Sequence, residues 1–329
     1  MHPVTQLFDL IEGPIRYGLV QWAFEKGVFD QCEQPVTAEE LADGLGLNPT
    51  NTERALQALT ACGFLVAKNA RFRVDAAFAP YALRSSPKCF AQTFLDLGHT
   101  RHAGLAELSR LIDGRSCDAP PVTFDADHWC KQQRSLATFH KSVAAHEMVR
   151  ALHHLPEWPS VRTILDVGGG SLELGETILT EKPDAHVMLF DIAPLVAALD
   201  PEDSVSLDIC AGNYNEETSL PDGPFDLIWC SMSLYFACEL EQVLKALKKR
   251  LSPGGVLVSF HEDLTEDRCA PSRHVVGRTM PALHGKDLSF ANGAIATAFR
   301  SSGLKGITSD LIETPFGPFR LDAGRKRFP

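Results

Sequence analysis

"TILDVGGGSLELGETIL", residues 163–179, decides the fold. A short apolar run carries Asp166 and Val167 at its end, three glycines (Gly168, Gly169, Gly170) follow, and a helical pattern comes next. This is a strand, a tight turn and a helix. In an open α/β sheet, ligands bind beyond the carboxyl ends of such strands. Glycines let a ligand approach the backbone closely, and the start of a helix offers free N–H donors. Alone, the turn suits a dinucleotide, another nucleoside ligand, or no ligand at all.

Downstream, strand and helix patterns alternate: "HVMLFD" (186–191), "VSLDIC" (205–210), "DLIWCS" (226–231) and "GVLVSF" (255–260). The alternation predicts an α/β fold with a doubly wound, Rossmann-like and mostly parallel sheet. Upstream the pattern is helical. Leu7, Leu10 and Ile11, then Leu19, Val20, Ala23 and Phe24, lie at helical spacing over residues 1–30. Thr37 with Glu40 three places on forms a capping box. Helices are expected over 38–44 and 50–62, and "FLVAKNARFRV" reads as a hairpin turning at Lys68–Ala70. Two short helices and a hairpin make a winged helix. Residues 81–155 read as helices interrupted by the loop 113–125, and the composition changes at "HLPEWPSVRT" (154–163). The expected domains are a mainly helical winged-helix domain, 1–155, and a Rossmann-like domain, 156–329.

Bulk properties narrow the function. The 329 residues allow two domains, and 44% apolar with 22% charged residues is ordinary for a soluble globular chain. A formal charge of −11 argues against a nucleic-acid ligand. No apolar run approaches the ~20 residues of a bilayer span. "MHPVTQLFDLIEG" lacks the basic and apolar regions of a signal peptide. The nine cysteines, Cys32 to Cys269, form no CxxC pair, so free thiols in a reducing cytoplasm are expected.

Two acids choose among ligands. The carboxylate of Asp166 beside the glycines would repel a pyrophosphate and suit a cationic group. S-adenosylmethionine carries an ammonium and a sulfonium and no phosphate. Asp191 ends the second strand, where a carboxylate can accept both ribose hydroxyls; the plain alternative is a helix N-cap. "ILDVGGG" (164–170), "LFDIAPLV" (189–196), "AGNY" (211–214), "DLIWCSMSLYF" (226–236) and "LSPGGVLVSF" (251–260) stand in the order of class I S-adenosylmethionine-dependent methyltransferases. With the winged helix in front, nearly the whole chain resembles the small-molecule O-methyltransferases of the acetylserotonin and plant caffeate type. A narrower likeness is to bacterial O-methyltransferases of prodigiosin synthesis, which methylate a hydroxy-bipyrrole carbaldehyde.

The resemblance implies roles. Asp166, Gly168 and Gly170 would surround the methionine part of the cofactor. Asp191 and Ile192 would meet the ribose, Asn213 and Tyr214 the adenine, and Ser231 would complete the cofactor set. Leu172 departs from the family, which has glycine there. The winged helix would form a homodimer and roof the substrate. His99 and His102, at i, i+3 on one helix face, would line the pocket with Phe139, the neighbouring His140, Trp129 and Phe236. Surface or core packing is the plain reading for each of these, and for Trp229.

The catalytic base is the departure. The family has His after the fourth strand, and Tyr235 stands there. A neutral tyrosine, with a pKa of about 10, is a poor base at neutral pH. Three arrangements stay open. Tyr235 orients a substrate whose proton goes elsewhere; or His261, Glu262, His284 or Asp287 serves, with His274 a weaker candidate; or the nucleophile is carbon. The acidic run "HEDLTED" (261–267) reads as a solvated loop rather than a metal site. The expected function is S-adenosylmethionine-dependent O-methylation of a small planar hydroxylated aromatic or pyrrolic metabolite in secondary metabolism, with S-adenosylhomocysteine as product. Alternatives are C-methylation, a non-methylating enzyme on this fold, and a ligand-responsive winged-helix regulator. The regulator is disfavoured by Arg54 being the one basic residue of its second helix. The absence of G-x-G-x-x-G disfavours a nicotinamide oxidoreductase.

Overall fold

The computed structural model describes residues 2–115, 126–199 and 207–327. The chain forms two compact units, 1–96 and 97–329, and the division falls within one helix rather than in the proline-containing stretch at 154–163.

The first unit contains α1 (Pro3–Lys26), α2 (Val28–Gln31), β1 (Val36–Thr37), α3 (Ala38–Leu45), α4 (Pro49–Ala61), β2 (Leu65–Lys68), β3 (Arg71–Val74) and α5 (Ala79–Ala82). The capping box forms: Glu40 N–H donates to Thr37 Oγ1 (3.1 Å), and Thr37 N–H donates to the Glu40 carboxylate (2.8 Å). Arg71 of β3 pairs with the same carboxylate at 3.1 Å, tying hairpin to helix. Asn69 (φ 52°) and Ala70 (φ 58°) are both left-handed, as a two-residue hairpin turn requires. The strand order β1-β3-β2 completes the wing. Val20, Phe24, Phe29, Leu56, Leu59 and Phe72 are buried together. The first half of α1 is different: Val4, Leu7, Phe8, Leu10, Ile11 and Ile15 are exposed, Leu10 by 72%.

Helix α6 (Ala91–His102) holds the division. The second unit continues with α7 (Leu108–Ile112), α8 (Ala126–Phe139) and α9 (Ala145–Leu152); a π-helical turn, His140–Ala144, joins the last two. Then come β4 (Thr163–Val167), α10 (Glu173–Glu181), β5 (His186–Asp191), α11 (Ala193–Val196), β6 (Leu207–Ala211), β7 (Phe225–Ser231), α12 (Leu240–Arg250), β8 (Leu251–Glu262), α13 (Ser272–Leu283), α14 (Ala294–Ser301), β9 (Lys305–Thr314) and β10 (Gly317–Arg325).

The seven strands run in the order β6-β5-β4-β7-β8-β10-β9. The first five are parallel, and β10 is antiparallel to both neighbours. Strand β4 is the switch point: the chain adds β5 and β6 on one side, then β7 and β8 on the other. Apolar layers cover both faces, which is why these strands read as continuous apolar runs.

The five parallel strands match the sequence reading; positions 205 and 206 of the expected third strand, and 116–125 of the expected loop, lie outside the described residues. The β9–β10 hairpin was not anticipated, because β9 is mostly exposed and shows no apolar alternation. Among the described residues, no helix is long and apolar enough to cross a membrane.

Leu227 is fully buried in β7, level with Ile164 of β4 and Val256 of β8. Leu227→Ala should cost about 2–5 kcal/mol through lost burial and the residual cavity, read as a fall in the urea midpoint of the second unit's transition.

Candidate active site

Of the expected cofactor residues, Asp166, Gly168, Gly170, Asp191 and Ile192 lie at the carboxyl ends of β4 and β5, whereas Asn213 and Tyr214 follow β6 and Ser231 ends β7. Gly168 (φ 70°) and Gly170 (φ 71°) are left-handed, a conformation that costs glycine nothing. Their neighbours exclude side chains as well. A Cβ at Gly168 would lie 2.6 Å from Ser233 Cβ, and one at Gly169 would lie 2.3 Å from Asp166 Oδ2. The turn therefore wraps the Asp166 carboxylate, which is buried and accepts no hydrogen bond among the described residues. Burial, then the nearby Asp191, pushes its pKa up to about 8.

Asp191 joins two loops. One carboxylate oxygen accepts from Gly170 N–H at 3.0 Å and the other from Ile192 N–H at 2.7 Å. Each oxygen keeps a lone pair for a hydroxyl donor. Burial raises the pKa of Asp191 and the two N–H bonds oppose this. Ile192, not Asp191, is the N-cap of α11.

The loop after β7 closes the turn from below. Met232 takes a left-handed φ of 49°, and Ser233 Oγ donates to Val167 O at 2.8 Å. Ser231 ends β7 with its hydroxyl buried and without a partner among the described residues. Tyr214 donates to Ser233 O at 2.8 Å and its ring packs on the sheet's apolar layer, so it fastens the loop after β6 to the loop after β7. Asn213 is exposed, and its side-chain oxygen accepts from Asn215 N–H at 3.0 Å, a local turn. From the other side, His140 on the π-helical turn bonds Ser171 Oγ through Nδ1 at 2.6 Å. Burial holds that imidazole down at about 4, hence neutral. Phe139 beside it packs edge-on against Phe316.

Tyr235 follows Ser233 by two residues and is the centre of an aromatic group. It stacks on Phe290 (5.0 Å between centroids), meets His261 edge-on (4.8 Å), and adjoins Phe236, which meets Trp129 edge-on at 5.4 Å. Its hydroxyl is buried with no partner among the described residues. The Arg278 guanidinium lies over its ring at 5.2 Å and pairs with Glu262, whose other oxygen is also buried and unpartnered among those residues.

Three expected catalytic candidates fare differently. His261 is buried with both nitrogens engaged: Nε2 accepts from Leu234 N–H at 3.1 Å, so Nδ1 carries the proton and donates to Ser259 Oγ at 2.7 Å. Burial and then Arg278 hold its pKa down at about 3, so it is a neutral strut for the Tyr235 loop, with no lone pair free for a base. Asp287 is not at this site. It is exposed and bound to Arg268 at 2.7 Å and to Ser289. Its position in "HGKD" put it near the family's second acid, but the loop turns it to solvent. His284 caps α13 and has a buried Nε2 without a partner among the described residues, close to Gly104, where a Cβ would lie 3.0 Å away. His274 bonds Pro318 O at 2.7 Å, and Trp229 is wholly buried in the sheet core. His99 and His102 are exposed on α6.

The sequence reading missed Arg278, Phe290, Ser233 and Ser171. Ser171 and Ser233 border motifs and were within reach of it. Arg278 and Phe290 carry no local signal. Among the described residues, no group of three or more His, Cys, Asp or Glu side chains is placed to hold a metal ion.

Residues 165–257 match the family model described as a methyltransferase domain, and residues 27–68 match the IclR helix-turn-helix domain. No curated protein matches the sequence at a significant level. Solved structures match over almost the whole chain. Human N-acetylserotonin methyltransferase in complex with SAM is 18% identical, with 99% of this chain and 98% of that one covered and a TM-score of 0.81. An O-methyltransferase family protein from Burkholderia thailandensis is 19% identical, with coverage of 100% and 99% and a TM-score of 0.78. PigF with SAH is 19% identical, with coverage of 98% and 99% and a TM-score of 0.77. Residues 165–257 thus match a methyltransferase domain, and the fold of the chain is the one these solved methyltransferase structures share.

Proposed function

We propose that this protein is an S-adenosylmethionine-dependent O-methyltransferase acting on a small planar hydroxylated aromatic or pyrrolic metabolite. The observation that carries the reading is the buried Asp166 carboxylate, unpartnered among the described residues and wrapped by Gly168–Gly170, with Asp191 beside it. Such a pair attracts a cation and hydroxyl donors and repels phosphate. When bound, S-adenosylmethionine supplies a sulfonium methyl, which a nucleophile takes up as the carbon–sulfur bond breaks with its electron pair on sulfur.

In this reading Asp166, Gly168 and Gly170 hold the methionine end, and Asp191 and Ile192 hold the ribose. Asn213, Tyr214 and Ser231 flank the rest. Tyr235, Phe236 and Trp129 face a planar substrate. Residues 1–155 serve dimerisation and substrate cover, and 156–329 serve cofactor binding. A hydroxy-bipyrrole carbaldehyde is the narrower substrate proposal, resting on the sequence resemblance alone. We place the reaction in the cytoplasm, in keeping with the buried free thiols of Cys32 and Cys230. The match to a helix-turn-helix model favours a regulator as the second reading, yet α4 carries one Arg and one Glu and offers no basic face for phosphates.

Calorimetric titration tests the cofactor class. S-adenosylhomocysteine should bind one-to-one and NADH should not, and Gly169→Ala should abolish binding by displacing the Asp166 carboxylate. Binding of NADH instead would remove the reading.

The raised pKa of Asp166 gives a sign. The free protein favours the protonated carboxyl, so the stability this group contributes falls as pH rises from its ordinary value of 3.8 to about 8 and is level above that. A cationic ligand needs the ionised form. Affinity for S-adenosylmethionine should therefore rise from pH 6 to 8, by up to tenfold per unit, and then level off. Asp166→Asn should give weaker, pH-independent binding.

The exposed apolar stripe on α1 supports a homodimer, because a monomer seldom leaves six such side chains in water on one helix. Sedimentation should show a dimer, and Leu7→Glu with Ile11→Glu should shift it to monomer.

A further inference from the structure

Two of the expected bases are unavailable, and the ring of Tyr235 carries a cation. His261 has both nitrogens occupied, and Asp287 lies at the surface. Arg278 lies on the face of Tyr235 while pairing with Glu262. A second guanidinium stands nearby. Arg101 fills the space that a side chain at Gly277 would need, since a Cβ there would lie 3.2 Å from its Cζ and Nη2. Arg101 senses Arg278 and Arg273 as repelling charges and Glu262 as the attracting one. The charged and titratable groups around this pair are therefore Arg101 on α6, Arg273 and Arg278 on α13, and Glu262 on β8. His261 and His274 adjoin them, both shifted toward the neutral form by burial. Arg101 and Arg273 are exposed, whereas Arg278 and Glu262 are largely buried, so the charge on Arg278 is the least screened of the three cations.

Chain connectivity places this cluster at the reaction site. Ser233 touches the glycine turn, Tyr235 is two residues on, and Arg278 covers the Tyr235 ring. Tyr235, Phe290, Phe236 and Trp129 give a planar substrate an aromatic wall.

We infer that the protein takes its substrate as an oxyanion: an acidic phenol or enol that binds ionised, its charge balanced by Arg278 and Arg101. The inference rests on the methyltransferase reading. On binding, the O–H bond breaks, the proton goes to water and its electron pair stays on oxygen. That oxygen is then a nucleophile without a protein base. A histidine in place of Tyr235 is not needed, and Arg278 becomes the specificity-determining residue.

The test uses 4-nitrophenol, whose phenolate has its own visible absorption band, with the protein saturated by S-adenosylhomocysteine so that no turnover occurs. One pH unit below the probe's own pKa, the bound probe should show the phenolate spectrum, and its apparent pKa should fall by a unit or more. Arg278→Met leaves Glu262 unpaired and invites misfolding, so the decisive variant is Arg278→Met with Glu262→Met. It should lose phenolate affinity at least tenfold while holding S-adenosylhomocysteine as tightly as before, and Arg278→Lys should restore most of the spectral shift. A bound probe with the neutral spectrum, an unchanged double variant, or no probe binding by protein that does bind S-adenosylhomocysteine would overturn the inference. Failure to bind S-adenosylhomocysteine would instead sink the methyltransferase reading.

Discussion

One carboxylate holds the glycine turn in place. Asp191 accepts from Gly170 N–H with one oxygen and from Ile192 N–H with the other, so the turn after β4 and the start of α11 are fixed to each other before any ligand arrives. The glycines are then constrained on every side. Ser233 lies against Gly168, the Asp166 carboxylate against Gly169, and Leu136 of α8 against Gly170. His140 adds a fourth fastening through Ser171. A cradle preorganised in this way loses little further freedom when a ligand binds, which is the main cost such a site must offset.

The same region is where the fold gives up stability. Asp166 is buried without a hydrogen-bond donor among the described residues, and the hydroxyls of Ser231 and Tyr235 and one oxygen of Glu262 are buried and unpartnered among them. Each such group costs roughly 1–3 kcal/mol relative to a satisfied one. Met232 adds a left-handed backbone that a side chain adopts only under constraint. The two apolar layers of the sheet sustain these costs. Unsatisfied groups gathered at the carboxyl ends of strands next to a switch point mark a place built for a ligand rather than for folding.

His261 and Tyr235 are both held by their neighbours rather than left free. The histidine is present on β8, yet it is consumed as a strut between Ser259 and the backbone of Leu234. Tyr235 is stacked, edge-packed and overlain by a guanidinium. These contacts fix the ring, and the charge beside it comes from Arg278.

The sequence by itself determined the elements whose causes are local. The glycine turn, the capping box of Thr37 and Glu40, the hairpin turn at Asn69–Ala70 and the five apolar strands each depend on a few adjacent residues, and each was legible. Asp166 and Asp191 were legible for the same reason, since both stand at strand ends. The tertiary structure alone decided which titratable side chains meet. Arg278 of α13 reaches Glu262 at the end of β8 across a loop, His140 reaches Ser171 across an intervening helix and strand, and Asp287 turns to solvent with Arg268. The β9–β10 hairpin was hidden because its outer strand is exposed and needs no apolar pattern. Backbone conformation is set by near neighbours, whereas the partner of a polar side chain is set by packing between distant segments, and no local pattern records that choice.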